Sequence, residues 1–555
     1  MGKIALSSLD ETLGCCPRRV ACVPWTLYNR KKLKPHTGMT MLITKMLADN
    51  ARFYGDEIAL IELEPSKEKR TEITWRMFDE LANRISDALL KAGINKGDTV
   101  VHLMKNCIEW LPVYFGILRA GALDVPLNFR FDPDSVRSCV DISEAKAFFF
   151  GSDFIEHANT VKNNSESVEN FIFLGPSNMK PDFAICYEDF VALGEDVGSK
   201  IDINLSDSAC LYFTSGTTGN PKAVLLTHRN LEFACYVEKN HHHQTRSDNF
   251  LCIPPLYHTG AKMHWFGNLL VGAKAVILKG VKPQWILKAI SDEKVTIVWL
   301  LVPWALDILF ALENGDIDLS DYDLSSWRLM HIGAQPVPPS LVQEWKRVFP
   351  HHQYDTNYGL TECTGPGCIH LGMENVHKVG AIGLPGLDWE AKIIDCDFND
   401  VWPGEVGELA VKGPGMMKEY FKNPEATKEV MKEGWLLTGD MARFDEEGFI
   451  WLVDRKKDVI IIGGENLFPV EIESFLQSHP QVQDVAVIGL PNERLGEIPV
   501  AVVQVKQGQE ITNDAINEYC KSLPRYKRPR RIIFAEVLRN ETGKIEKTKL
   551  RKQYG

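Results

Sequence analysis

The stretch LYFTSGTTGNPKAVLLTH, Leu211 to His228, decides how the chain is read. Thr214, Ser215, Thr217 and Thr218 supply hydroxyls, and Gly216 and Gly219 let a backbone approach an anion closely. Lys222 adds a mobile positive charge. The loop has the chemistry of a phosphate cradle but not the usual spacing. A Walker loop runs Gly, four residues, then Gly-Lys-Ser/Thr. Here Gly219 is followed by Asn220, Pro221 and Lys222, and no hydroxyl follows the lysine. That spacing excludes a P-loop motor or kinase. Taken alone, the loop is equally compatible with a Ser/Thr/Gly turn between two strands.

Composition bounds the alternatives. A chain of 555 residues is too long for one core and implies two or more domains. Hydrophobic residues at 45% and charged residues at 25% are ordinary for a globular enzyme. A net charge of -12 argues against a nucleic-acid partner, while leaving room for a local basic pocket. Thirteen cysteines without a framework fit a reducing, cytoplasmic setting. Cys15, Cys16 and Cys22 have no matching Cys or His pair at zinc spacing nearby and read as ordinary thiols. The first forty residues lack the apolar core of a secretory signal, and no stretch reaches the roughly 20 apolar residues of a transmembrane segment.

Outward from the loop, strands and helices alternate. Phe78, Leu81, Ile85 and Leu89 recur at helical spacing until Gly93, and DTVVHLM, KAVILK and TIVWLLVP read as buried strands. This alternation predicts an α/β architecture with largely parallel sheets. Near Asp454 the character changes to a charged tetrapeptide, an apolar strand, a glycine turn and a helix from about Pro469. The roughly 100 residues beyond suffice for a small α+β domain. A boundary is expected at Asp454 to Lys457.

Downstream motifs carry chemistry of the same kind. In NYGLTECTGPG, Asn357 to Gly367, Tyr358 offers a flat face for a purine, Thr361 a hydroxyl, and Glu362 a hard oxygen ligand suited to Mg²⁺. In GWLLTGD, Asp440 has lone pairs enough for two ribose hydroxyls. Arg455 suits a hydroxyl or phosphate, or an ion pair between domains. Lys544 stands on a glycine turn ahead of a basic helix. NHHHQ, with His241 to His243, reads as an exposed loop, not a metal site.

These stretches, in order with GELAVKGPGMMKEYFKNPEAT, DRKKDVIIIGGENLFPVEIE and TGKI, resemble the adenylate-forming superfamily of acyl-CoA synthetases, luciferases and peptide-synthetase adenylation domains. The resemblance spans about Asp207 to Arg551 and extends back to about Gly55. It is most like an AMP-forming acyl-CoA synthetase. It implies an N-terminal extension over 1–38, a large adenylation domain of mixed sheets flanked by helices over 39–454, and a mobile domain over 455–555 hinged at Lys457. It also implies ATP, Mg²⁺ and CoA as partners of a small carboxylate, with acyl-adenylate formation followed by thioester formation. By resemblance, Thr214 and Glu362 hold the metal. Thr214 to Gly219 and Lys222 hold the β- and γ-phosphates, and Gly333, Ala334 and Gln335 lie beside adenine and acyl group. Asn357, Tyr358, Gly359 and Thr361 belong to the nucleotide site, with Tyr358 on the adenine. Asp440 takes the ribose, and Arg455 contacts ribose or phosphate. Lys544 bridges the substrate carboxylate and the α-phosphate. Gly463, Gly464 and Glu465 form the loop that opens a pantetheine channel.

Three positions depart from the common pattern: Ala223 and Ile332 replace frequent glycines, and Leu538 replaces a proline before the lysine turn. PPLYHTGAKMHWFGNLLVG matches the acyl-pocket helix, with His258 at the gate and Lys262, His264 and Trp265 near the pocket. Trp265 would shorten that pocket, favouring a compact aromatic, alicyclic or short-to-medium chain acid. No aspartate for an α-ammonium and no carrier-domain serine is found, which favours free CoA as acceptor. A homodimer and reversal toward ATP are compatible with the chain. A luciferase-like oxygenase and a non-catalytic nucleotide-binding relative are the competing readings.

Overall fold

The computed structural model describes residues 40–214, 221–333, 336–462, 465–492, 494–539 and 545–555, with Glu465 by its backbone alone. All of them belong to one compact unit that begins at Gly38. Among them, no helix is long and apolar enough to cross a membrane. The expected N-terminal extension, with Cys15, Cys16 and Cys22, lies outside the described residues.

Two large sheets dominate. The first orders its strands as Gln353–Asp355, Leu329–Gly333, Ile297–Leu301, Asn249–Cys252, Lys274–Leu278, Ile58–Glu64 and Lys69–Thr74. All its pairings are parallel except the last, which is an antiparallel hairpin. Parallel strands need crossovers, and the Thr259–Val271, Pro283–Glu293, Val302–Glu313 and Pro339–Val348 helices supply them. Covered on both faces, such strands become continuous apolar runs, as in IVWLL and KAVIL.

The second sheet runs Glu419–Tyr420, Lys222–Thr227, Ser208–Thr214, Leu123–Pro126, Thr99–Leu103, Ala147–Gly151, Asn170–Leu174 and Ile185–Cys186. Its middle is parallel, and the Ser208–Thr214 and Lys222–Thr227 hairpin turns it antiparallel at one side. The expected helix forms over Trp75–Lys91, where the Thr74 hydroxyl accepts from the Met77 amide at 3.2 Å and supplies the N-cap. Phe78, Ile85 and Leu89 are fully buried, each contributing roughly 1.5–3 kcal/mol. They bring this helix against Trp110–Arg119 so closely that a Cβ on Gly116 would stand 2.5 Å from Ile85 Cγ2. Beyond residue 454 a separate sheet gathers the strands Ile460–Ile462, Glu465–Leu467, Val482–Asn492, Gly496–Val505 and Arg531–Phe534, with a helix over Pro469–Gln477.

Candidate active site

Thr214 and Lys222 face each other across the hairpin, so the hydroxyl- and glycine-rich loop leaves from two strand ends. Ser215, Gly216, Thr217, Thr218 and Gly219 lie outside the described residues, as do Ala334, Gln335, Gly463, Gly464, Lys544 and the Glu465 side chain. The Thr214 hydroxyl donates to the Lys222 carbonyl at 3.4 Å. The Lys222 ammonium sits 4.9 Å from the centre of the Tyr420 ring, within cation–π reach. Tyr420 arrives beside Lys222 because Glu419–Tyr420 adds as an edge strand, with Tyr420 opposite Val224. Its hydroxyl donates to Glu362 Oε1 at 2.7 Å. Burial first, and then the Glu362 charge, push the Tyr420 phenol well above its usual range, which keeps it a donor. The Glu362 carbonyl accepts from the Met417 amide at 2.7 Å, fixing the single turn Thr361–Cys363.

From Glu362 the site continues through the preceding strand, Asn357–Tyr358. The Tyr358 hydroxyl donates to Asp440 Oδ2 at 2.5 Å, and Arg455 Nε lies 3.1 Å from Asp440 Oδ1. Asp440 and Arg455 are opposite residues of the Trp435–Phe444 and Ile450–Arg455 hairpin. Burial and the nearby carboxylate raise the Tyr358 phenol well above normal, and the same carboxylate raises Arg455. Gly359 is required by contact: a Cβ there would stand 2.8 Å from Gly367 Cα. Lys457 falls in the one-turn Lys456–Asp458 segment just after the hairpin. Thus Thr214, Lys222 and Glu362 are linked through Tyr420, a residue that sequence reasoning assigned no role, and Tyr358, Asp440 and Arg455 form a second linked set, joined to the first by the backbone that carries Thr361.

A second group borders the end of the Leu329–Gly333 strand. A Cβ on Gly333 would lie 3.6 Å from both Trp299 Nε1 and Asn357 Oδ1. Trp299 Nε1 and Asn357 Nδ2 are buried and have no hydrogen-bond partner among the described residues. The indole also caps Gly260, where a Cβ would come within 3.0 Å of Trp299 Cη2. His258 is the N-cap residue of the Thr259–Val271 helix, its ring 4.2 Å from that of Tyr257. Trp299 thus lies between Gly260 and the end of the Leu329–Gly333 strand, a neighbour of Gly333 that sequence reasoning missed.

Two expected pocket residues turn into the core instead. Trp265 is fully buried against Phe78 and Phe115, at ring separations of 6.4 and 6.3 Å, so its ring packs against the Trp75–Lys91 and Trp110–Arg119 helices. Lys262 is fully buried as well, its ammonium 4.3 Å from the Tyr212 ring centre and 3.3 Å from the Leu256 carbonyl. On a helix buried nearly all round, residue identity alone does not say which neighbour each side chain meets. Burial pulls the Lys262 ammonium down to about 8 from 10.5. Its folded pKa lies below its unfolded one, so the protonated form opposes folding. The penalty is fully present below about pH 8 and fades as pH rises toward 10.5. Lys262→Met is expected to stabilise the chain by up to about 3 kcal/mol at pH 7, an advantage that roughly halves by pH 9.5. Urea unfolding at both pH values measures it; an advantage independent of pH would contradict the assignment.

The NHHHQ reading is also corrected. Only His243 of the three histidines is exposed. His241 stacks on His370 with ring centres 3.7 Å apart, and His242 is fully buried between Glu238 and Asp355. Burial, the largest influence, lowers the His242 pKa, but the two carboxylates outweigh it and hold the ring up to about 10. A polar run reads as exposed unless its partners are known, and these partners come from other segments.

The family described as AMP-binding enzyme matches residues 47–421, and that described as AMP-binding enzyme C-terminal domain matches 471–544. The long-chain-fatty-acid–CoA ligase FadD13 of Mycobacterium tuberculosis is 32% identical over 498 residues, covering 89% of this chain and 95% of its own. The anthranilate CoA ligase AuaEII, solved with anthranoyl-AMP, superposes with a TM-score of 0.82 at 26% identity, covering 93% of this chain and 98% of its own. The O-succinylbenzoate coenzyme A synthetase of Bacillus subtilis, solved with ATP and a magnesium ion, gives 0.79 at 26% identity, covering 91% and 98%.

Proposed function

This chain belongs to the AMP-binding enzyme family, and from that premise we propose that it is an AMP-forming acid–CoA ligase. The observation that carries the reading is the pair of linked sets running from Lys222 through Tyr420 to Glu362 and from Tyr358 through Asp440 to Arg455. It supplies a cation, a carboxylate suited to a metal and a carboxylate suited to a diol. In the first step a substrate carboxylate oxygen attacks the α-phosphorus of ATP, the α–β phosphoanhydride breaks, and pyrophosphate leaves. In the second the CoA thiolate attacks the acyl carbonyl and AMP departs with the acyl–phosphate oxygen.

Carboxylate and triphosphate repel, so their approach needs positive charge placed beforehand. Lys222 supplies part of it, together with the loop from Thr214 to Gly219. Mg²⁺, when bound, neutralises phosphate charge and orients the leaving group. The residues fit that ion: the Thr214 hydroxyl and the Glu362 carboxylate are hard oxygen donors. Tyr420 occupies Glu362 Oε1, while Oε2 has no partner among the described residues. Tyr358 offers its ring to adenine, and Asp440 accepts from the ribose hydroxyls while Arg455 and Tyr358 hold it in place. Lys544 bridges carboxylate and α-phosphate. Lys457 is the pivot by which the 455–555 domain exchanges that lysine for the Gly463–Gly464–Glu465 loop.

For the acid, the support is Trp299 lying between Gly260 and Gly333, a wedge that favours a compact aromatic, alicyclic or short-to-medium chain substrate. A panel of such acids with ATP and Mg²⁺ tests the whole reading. Pyrophosphate is expected with one class of acid, AMP turnover is expected to depend on CoA, and Lys544→Ala is expected to abolish adenylation. Silence across the panel, in both directions of the reaction, would refute the ligase reading. Preference for very long chains would refute the wedge alone.

A further inference from the structure

Behind the Gly333 strand end lies a group that the adenylation chemistry leaves unused. Glu238, in the last turn of the His228–His241 helix, His242 at that helix's C-cap, His264 on the Thr259–Val271 helix and His331 on the Leu329–Gly333 strand are each no more than 1% exposed. Glu238 Oε2 is 2.9 Å from His242 Nδ1, and Oε1 is 3.0 Å from His264 Nδ1. The His331 ring closes the group, centred 4.5 Å from that of His242 and 4.3 Å from that of His264. Donor atoms of Glu238, His242 and His331 all fall within 4.8 Å of one another. Neither ring nitrogen of His331 has a hydrogen-bond partner among the described residues.

The geometry points to a site for a divalent transition ion of the zinc class, held by Glu238, His242 Nδ1 and one nitrogen of His331, with His264 Nδ1 against the other Glu238 oxygen. Two imidazoles and one carboxylate are a donor set that zinc accepts, and they suit Mg²⁺ poorly. The outer shell is also in place. His242 Nε2 lies 2.9 Å from Asp355 Oδ2, and Asp355 Oδ1 accepts from the Gly372 amide at 2.9 Å. A carboxylate on the far nitrogen of a ligating histidine fixes the tautomer and aims the other nitrogen at the ion. Charge agrees as well: Glu238 and Asp355 bring two buried negative charges, and a dication balances both with every imidazole neutral. On binding, the proton between His242 Nδ1 and Glu238 leaves to solvent and the ion takes its place. These ligands come from the end of the His228–His241 helix and from the Leu329–Gly333 strand, so the ion ties that helix to the central sheet.

The test uses the full chain expressed with zinc, dialysed without chelator and analysed for metal. About one zinc per chain is expected. The same protein stripped with chelator and given Co²⁺ should develop the intense visible absorption of tetrahedral cobalt, and Zn²⁺ should raise the Tm of the stripped chain. Both E238Q and H331F should lose the cobalt band with an unchanged circular dichroism spectrum, whereas C396S, at an exposed cysteine, should keep it. Should both site variants fail to fold, the zinc-dependent Tm shift and cobalt band of the stripped wild-type chain decide. Folded wild-type chain that holds less than about a tenth of an equivalent and gives no cobalt band would overturn the site. So would a band that survives both substitutions. The inference does not rest on the ligase reading, and none of these readouts is activity.

Discussion

Glu362→Gln is expected to slow acyl-adenylate formation by about 10²–10³-fold, the order of loss seen when one preorganised electrostatic group is removed from a transition state. The change is nearly isosteric. Its amide oxygen still accepts from Tyr420, whose hydroxyl now reaches Glu362 Oε1 at 2.7 Å, so the turn at Thr361–Cys363 should persist. What disappears is the negative charge proposed to hold Mg²⁺ beside the phosphates. Pyrophosphate release at rising Mg²⁺ concentration separates the two effects. A midpoint moved to higher Mg²⁺ with a depressed plateau is expected, with little change in Tm. A plateau within threefold of wild type would mean that Glu362 is not a metal ligand.

Asp440→Ala should weaken ATP binding by about 10²–10⁴-fold. Two charge-assisted hydrogen bonds to ribose hydroxyls are worth roughly 1.5–3 kcal/mol each, and every 1.4 kcal/mol is a factor of ten. The substitution also strips Tyr358 of the acceptor it reaches at 2.5 Å and Arg455 of its 3.1 Å partner. An unsatisfied buried hydroxyl costs about 1–3 kcal/mol, so a lower Tm should accompany the lost affinity. Titration calorimetry with ATP and with 2′-deoxy-ATP distinguishes loss of recognition from loss of fold. Wild type should discriminate between them, and the folded variant should not. Undiminished discrimination in Asp440→Ala would move the ribose contact to another residue.

Local patterns carried the parts of this site that depend on a single segment. Phe78, Ile85 and Leu89 lie on one face because a helix repeats every 3.6 residues, and Thr214 faces Lys222 because a short loop joins two apolar runs. Contacts between distant segments had no such signature. Tyr420 meets Glu362 across 58 positions, and His242 meets Asp355 across 113. Trp299 reads as one more apolar residue of a buried strand until Gly260 and Gly333 are placed around it. The same limit misdirected the reading of Lys262 and Trp265. Their helix was legible, but the neighbours that draw each side chain into the core come from Trp110–Arg119 and from the other sheet.

The pairing of Leu60 with Ala275 has a consequence for how the chain is made. The Ile58–Glu64 strand leaves the ribosome about 215 residues before its parallel neighbour, which at 5–20 residues per second is roughly 10–40 s. During that interval its only sheet partner is the Lys69–Thr74 strand, and the other edge of IALIELE stands open. Strand edges held open on that timescale invite association between nascent chains. Synthesis rate and chaperone supply, more than the final stability, should therefore govern how much of this protein is recovered folded.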